Sequence, residues 1–406
     1  MISSALAHPT LLRLRDLLNV YVVPLGWVFM LTGLFWVGKR SAYHQLYYVF
    51  MLFPTVIAVA LQPQLLKRFI RNPMFIVLAV FSIYMLLTLL WSTSEESSGS
   101  LIKRPIYIAV LLFAVGISTL KAPKQLESGT RLAAIFAAAA ALASTLWFLY
   151  TSPSFSDRLN GYGALYNPLL TAHVLGAFAS YWLCCWFLAE RPTSPMPLIC
   201  MAALAVAIIA TGSRTPMVGL SAALVWLCIV GNKKRAAVAV GILVVLLAAL
   251  WITYPDAFTQ RGVSYRPAIW AESLRQISLK PWLGYGFDYP MVVPVAELSE
   301  PLYDPHNIEL GVLYAGGIVG FVLWMTLYGL AMGFCWKHRR EPAVMIAACW
   351  LIYGFAAGLT EGNAFMSRPK EHWFLIWMPM ALVYGQWILR QHEQGNRKDS
   401  NAYEAA

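Results

Sequence analysis

The sequence predicts an all-α polytopic membrane protein with about 12 transmembrane helices and one long external loop containing an amphipathic helix. Three observations lead there. Of the 406 residues, 59% are hydrophobic and only 12% charged, about half the charged share of a soluble domain. Apolar runs of about 17 to 25 residues, enough to cross a hydrocarbon core, recur along the chain. Lys and Arg are divided unequally between alternate connections, as the positive-inside rule requires.

The runs centre on residues 19–37, 44–61, 73–91, 104–120, 131–150, 167–189, 195–211, 215–230, 236–254, 308–335, 343–359 and 373–389. Arg13 and Arg15 lead into the first with no small-residue cleavage site, so it reads as a retained signal anchor. The seventh and eighth are short and can be read as one broken span, so charge has to arbitrate. With the N-terminus inside, 18 of the 30 basic and 7 of the 19 acidic residues are cytoplasmic, a net +11 against zero outside. That supports twelve spans with both termini cytoplasmic.

The overall +11 charge is thereby explained by topology and by contact with membrane lipids, anionic ones included, and nucleic-acid binding is not expected. All six cysteines fall inside spans, so neither a disulfide framework nor a Cys-based metal motif is predicted. "AAIFAAAAALA" at 133–143, and Gly316 with Gly320 in the tenth span, read as small-residue helix packing. Residues 1–406 form a single integral membrane domain, and 255–307 are a large loop within it.

A connection that long is functional or disordered, and its aromatic and apolar content predicts that it folds. "SYRPAIWAESLRQI" from Ser264 reads as an amphipathic helix with Pro267 in its first turn and Ile269, Trp270, Leu274 and Ile277 on or near one face, suited to the membrane surface. "WLGYGFDYP" breaks the regularity with Gly284 and Gly286, and "LYDPHNIEL" returns to the membrane at His306.

His306 can act as a general base near neutral pH, with Asp304 or Glu309 available to orient it. Equally, Asp304 to Asn307 can simply cap the tenth helix. "ATGSRTPMVGL" places Arg214 in a short external turn, with Thr215 as N-cap and Pro216 in the first helical position. A guanidinium beside free helix N–H groups suits an anion, although a snorkelling Arg would look the same. Arg266 opens the loop helix, and Arg158 lies in the external loop before the sixth span. Several external arginines near the lipid surface suggest an anionic lipid ligand, and a diphosphate headgroup fits. His173, inside the sixth span, reads either as a hydrogen-bonded core residue or as a site residue. No DxD pair, P-loop, HExxH or GxSxG occurs.

"TGSRTPMVGL", "RPAIWAESL", "LGYGF" and "DPHNIELGVLYAGGIVG" resemble the O-antigen ligase (WaaL-like) family, part of a group that includes O-antigen polymerases and bacterial protein O-oligosaccharyltransferases. The resemblance covers the topology of nearly the whole chain, with its sharp motifs between about residues 158 and 320. It implies a bacterial inner-membrane glycosyltransferase of lipopolysaccharide biosynthesis, with its site on the periplasmic face. Such enzymes move polysaccharide from undecaprenyl diphosphate to a sugar hydroxyl of the lipid A core, with neither cofactor nor metal. Carried over by motif, the catalytic residues are Arg214, Arg266 and His306. Arg158, Asn167, His173, Tyr265 and Asn307 follow as substrate-binding candidates, with Glu361 behind them and Arg261 or Arg275 as substitutes for Arg266. Two alternatives stay open: a polymerase or protein-directed transferase of the same group, and, more remotely, a lipid-linked glycan flippase, against which no inverted repeats are visible.

Overall fold

The computed structural model describes residues 9–152, 157–189, 194–253, 265–294 and 300–404. Every apolar run of the sequence lies on a helix. In chain order these are α1 (Pro9–Phe35) and α2 (Arg40–Ala60), a short amphipathic α3 (Pro63–Ile70), then α4 (Pro73–Leu90), α5 (Ser98–Lys121), α6 (Pro123–Thr151) and α7 (Pro168–Leu188). They continue with α8 (Met196–Ala210), α9 (Thr215–Val230), α10 (Lys233–Thr253), α11 (Arg266–Leu279), α12 (Ile308–Lys337), α13 (Pro342–Gly358) and α14 (Trp377–Glu404). Among the described residues, seven helices are long and apolar enough to cross a membrane, and α8, α9 and α13 are shorter apolar helices. The only strand-like pairing there is an isolated bridge between Val293 and Leu302.

Burial sorts the helices into layers. The apolar stretch of α7 is 78% buried against 33% in α2, α4 and α6, so α7 is central and those three are peripheral. Around α7 pack α8, α9 and α13, and α14 packs along α5. Outward-facing Leu146, Trp147, Leu149, Val225 and Ile229 are exposed, as a surface solvated by acyl chains requires. The alanine run of α6 has the role expected from its composition. Ala133, Ala134, Ala137 and Ala141 are buried, and the backbone is close enough for Trp182 Nε1 to donate to the Ala134 carbonyl at 3.2 Å. In α1 and α2, single π turns at Leu18–Val22 and Tyr48–Leu52 lie just before Pro24 and Pro54, whose missing N–H groups break the regular ladder.

The seventh and eighth runs are two helices and not one. α8 ends where Leu159 N donates to the Ala210 carbonyl, beside the start of α7. After a turn through Gly212 at φ +64°, α9 runs back, and Gly231 comes against Phe187 near the end of α7. The connections α1–α2, α4–α5, α6–α7, α8–α9, α10–α12 and α13–α14 all gather at one end of the bundle. Arg40 pairs with Glu371 at 2.8 Å, Arg104 with Asp288 at 3.0 Å and His306 with Glu361 at 2.8 Å, while Ala164 N reaches the Val37 carbonyl.

The described part of the long loop, 265–294 and 300–307, is folded onto α12, while 255–264 and 295–299 lie outside the described residues. Ile269 and Ile277 of α11 are buried with Met291, Val293 and Tyr314. The buried row is Ile269, Ser273 and Ile277, one residue every turn; Leu274 lies off it, 51% exposed. The apolar face of this helix therefore docks on protein.

"WLGYGF" has a structural task. α12 breaks at Gly317 (φ +59°, ψ −164°), and the loop supplies the hydrogen bonds that the helix loses there. Tyr285 N and Gly286 N donate to the carbonyls of Tyr314 and Ala315, while Ile318 N donates to the Pro281 carbonyl at 2.8 Å. Backbone left unpaired so near lipid would cost several kcal/mol per group, roughly. The fit demands glycine on both sides, since a Cβ at Gly284 would lie 2.5 Å from the Ala315 oxygen and one at Gly317 would lie 2.3 Å from the Trp282 oxygen. Gly316 and Gly320 pack against Met85 and Tyr84 of α4, as the small-residue pair predicts.

Candidate active site

The site forms where the starts of three helices meet the connection that follows α13. Asp304 Oδ1 accepts from His306 N at 2.7 Å, a local side-chain turn that holds His306 at φ +48°. That left-handed conformation costs a non-glycine residue about 1 to 3 kcal/mol, and it turns the imidazole off the axis of α12. The next residue, Asn307, is the N-cap: its Oδ1 accepts from Leu310 N at 2.9 Å. Its Nδ2 donates to the Leu359 carbonyl at 2.9 Å, tying the start of α12 to the end of α13. Capping thus falls to Asn307 and leaves the His306 ring outside the cap.

Two residues past that tie stands Glu361, 5% exposed, and each of its oxygens takes one of the predicted catalytic residues. His306 Nδ1 bonds Oε1 at 2.8 Å, and Arg266 Nη2 lies 3.2 Å from Oε2. Arg266 is the first residue of α11. The same Nη2 donates to Thr215 Oγ1 at 3.3 Å, at the first residue of α9. Here the structure differs from the sequence expectation: Arg214 is the N-cap position and Thr215 is already helical, so the Thr215 hydroxyl serves Arg266 and not its own helix. Arg214 precedes it, exposed.

Electrostatics favour the ion pair. The Glu361 hydrogen bond raises the His306 pKa above the ordinary imidazole value, with burial opposing. Burial alone would raise the Glu361 carboxyl, but the His306 hydrogen bond and the charges of His306 and Arg266 bring it below the usual carboxylate range. With Glu361 ionised, the neutral imidazole keeps its proton on Nδ1, where it donates to Glu361, and only that neutral form presents an Nε2 lone pair outward. The positive ends of α9, α11 and α12 beside two arginines make the surroundings anion-attracting.

The O-Antigen ligase family pattern matches residues 199–325 of the chain. Over 399 residues, 98% of this chain and 98% of the other, the sequence is 52% identical to an "O-antigen ligase" of Pseudomonas aeruginosa PAO1. The chain belongs to the O-antigen ligase family. It is thus an enzyme of glycosyltransferase type.

In this ligase-family chain the other predicted residues are spread more widely. Asn167 caps α7, accepting from Leu169 N and Leu170 N. Arg158 Nε donates to the Thr211 carbonyl at 2.7 Å, closing the end of α8. Tyr265 is the exposed N-cap position of α11. His173 is fully buried; neither ring nitrogen has a hydrogen-bond partner among the described residues, and its ring centroid is 6.4 Å from that of His372. Arg275 pairs with Glu272 at 2.7 Å, away from Glu361, and Arg261 lies outside the described residues.

The orienting carboxylate is the main correction. Asp304 binds the His306 amide rather than its ring, and Glu309 is buried within the first turn of α12 with Oε2 unpartnered among the described residues. Glu361, the weakest sequence candidate, does the orienting. The signal available for it is an acidic residue in a connection on the same side as His306, but 55 residues separate the two, and spacing cannot bridge that distance.

Proposed function

We propose that the protein transfers a polysaccharide from undecaprenyl diphosphate to a sugar hydroxyl of the lipid A core, without a metal or cofactor. Twelve inner-membrane crossings, both termini cytoplasmic and the site on the periplasmic face complete this reading. Charge distribution supports it, as does the gathering of alternate connections at the end that carries His306. The 52% identity to a relative named O-antigen ligase favours the ligase over the polymerase and protein-directed alternatives.

The observation that carries the mechanism is one carboxylate joining His306 and Arg266 at the starts of three helices. Arg214 and Arg266 hold the donor diphosphate and stabilise the charge that grows on it as the glycosidic bond breaks. His306 Nε2 takes the acceptor hydroxyl proton as that oxygen attacks the anomeric carbon, and Glu361 stabilises the imidazolium that forms. The new C–O bond forms as the old one breaks, and the diphosphate leaves with the electron pair. A single displacement inverts the anomeric configuration.

The test is transfer by purified protein in EDTA, with lipid-linked glycan and rough lipopolysaccharide. Laddered lipopolysaccharide whose new linkage is inverted is expected. Growth of the lipid-linked glycan alone would overturn the ligase reading in favour of a polymerase. Abolition by EDTA would overturn metal independence.

A further inference from the structure

Beside His306, on the same end of the bundle, lies a cleft of about 560 Å³ that the mechanism above does not use. Pro305, the neighbour of His306, forms part of its wall, with segments of the α1–α2, α4–α5 and α13–α14 connections and the loop stretch around Asp288. Its aromatic walls, Phe287, Tyr289, Tyr303 and Tyr314, stand among four basic and three acidic side chains. Aromatic faces among polar groups suit a saccharide, and the charges show more about which one.

The cations fall into two kinds. Arg40 is bound to Glu371, and Arg104 to both Glu96 and Asp288; these pairs build the wall. Arg368 is exposed and, among the described residues, donates to a neutral hydroxyl, Ser100 Oγ, at 2.7 Å. Lys370 has no carboxylate within salt-bridge distance among the described residues. Burial, with the Arg40 and Arg104 charges, lowers its pKa against the pull of Glu371 and Asp304. Ser367, 6% exposed on the same wall, has a hydroxyl with no hydrogen-bond partner among the described residues. An ammonium and a guanidinium with no carboxylate at salt-bridge distance among the described residues, and a hydroxyl with no hydrogen-bond partner there, along one open wall are what an anionic group would satisfy.

We propose that this cleft is the acceptor subsite, and that Lys370 and Arg368 bind an anionic substituent, a phosphate or a carboxylate, on the acceptor saccharide. This rests on the transferase reading above, which puts the donor diphosphate at Arg214 and Arg266 and leaves the acceptor to approach His306 from another side. The wall at Pro305 is that side. Selection of the acceptor then resides in the connections α1–α2, α4–α5 and α13–α14, apart from the donor's arginines.

The experiment is steady-state transfer with acceptor and donor varied separately, for wild type, Lys370→Met, Lys370→Arg and Arg368→Gln. Each is checked for a monodisperse folded peak in detergent. Rough lipopolysaccharide is used intact, dephosphorylated, or carboxyl-reduced. Lys370→Met is expected to raise the acceptor KM about tenfold or more, roughly the worth of one charge-assisted hydrogen bond, with the donor KM within twofold. Lys370→Arg should recover most of this. Arg368→Gln, on the surface and so safe for folding, should raise the acceptor KM several-fold. Wild type should lose affinity for one treated acceptor, dephosphorylated or carboxyl-reduced, which identifies the anion, and Lys370→Met should no longer distinguish that acceptor from the intact one. Unchanged acceptor KM in both neutral variants, or a rise confined to the donor KM, overturns the subsite while leaving the ligase reading intact. A wild type that transfers to no acceptor overturns both.

Discussion

Glu361→Gln separates the two tasks assigned to one carboxylate. Gln keeps the shape and its one oxygen can still accept from His306 Nδ1, but its NH2 group then faces the Arg266 donor, so the charge-assisted contact at 2.8 Å becomes neutral and the one at 3.2 Å is lost. A hydrogen bond to a charged group contributes about 1.5 to 3 kcal/mol and a neutral one about 0.5 to 1.5. For the His306 contact the difference, about 1 to 1.5 kcal/mol, is roughly five- to tenfold in rate at 1.36 kcal/mol per decade, and losing the Arg266 contact, whose donor can turn to water, costs about as much. Both together give a loss of about 25- to 100-fold. The pH profile carries more information than the magnitude. A base acts when neutral, and Glu361 raises the His306 pKa, so the wild-type rate should climb through a midpoint above the ordinary imidazole value. Removing the carboxylate charge lowers that midpoint. The deficit of the variant should therefore be largest at high pH and shrink as the pH falls below about 6, a convergence that simple misfolding does not produce. The assay is transfer rate from pH 5 to 9 at saturating donor and acceptor. A variant whose profile is parallel to wild type, or shifted to higher pH, would refute the coupling between Glu361 and His306.

Other substitutions test the surrounding parts. Arg266→Lys keeps the charge but replaces the planar guanidinium, whose fork suits bidentate contact with phosphate, by a point charge, and should cost about tenfold or more in transfer, read mainly against donor concentration. Thr215→Val removes the hydroxyl that takes Arg266 Nη2 at 3.3 Å; about 1 kcal/mol predicts a roughly fivefold slower rate with unchanged thermal stability. Gly317→Ala should lower the thermal unfolding temperature markedly or abolish folded yield, because φ is +59° and a Cβ would lie 2.3 Å from the Trp282 oxygen. A variant as stable as wild type would show that the loop does not depend on the break in α12.

Much of the helical order is legible because lipid imposes it. A run such as residues 308–335 has to be helical to satisfy its backbone, and the chain shows it as hydrophobicity alone. Arg266 and His306 are legible for a related reason: polar groups beside helix starts stand out against apolar sequence. Glu361 is not, since its meaning comes from how α13 packs against α12, and Asn307 reaching Leu359 is what brings the two connections together. The docking of α11 and the repair of α12 by "WLGYGF" are equally tertiary. Two glycines in a loop say only that the chain turns, not that another helix has a gap to fill. Thr215 reads as a cap because Thr before Pro commonly is one, and the approach of Arg266 changes its task.

The most direct test of the central claim, that His306 and Glu361 act as one proton-accepting unit, is the double-mutant cycle of His306→Ala and Glu361→Gln in the reconstituted transfer assay. His306→Ala alone should cost about 10² to 10⁴. Adding Glu361→Gln to it should cost less than about tenfold, only the part exerted through Arg266, against the roughly 25- to 100-fold loss in wild type. Fully multiplicative losses would contradict the account, because they would mean that the carboxylate contributes to transfer without acting through the imidazole.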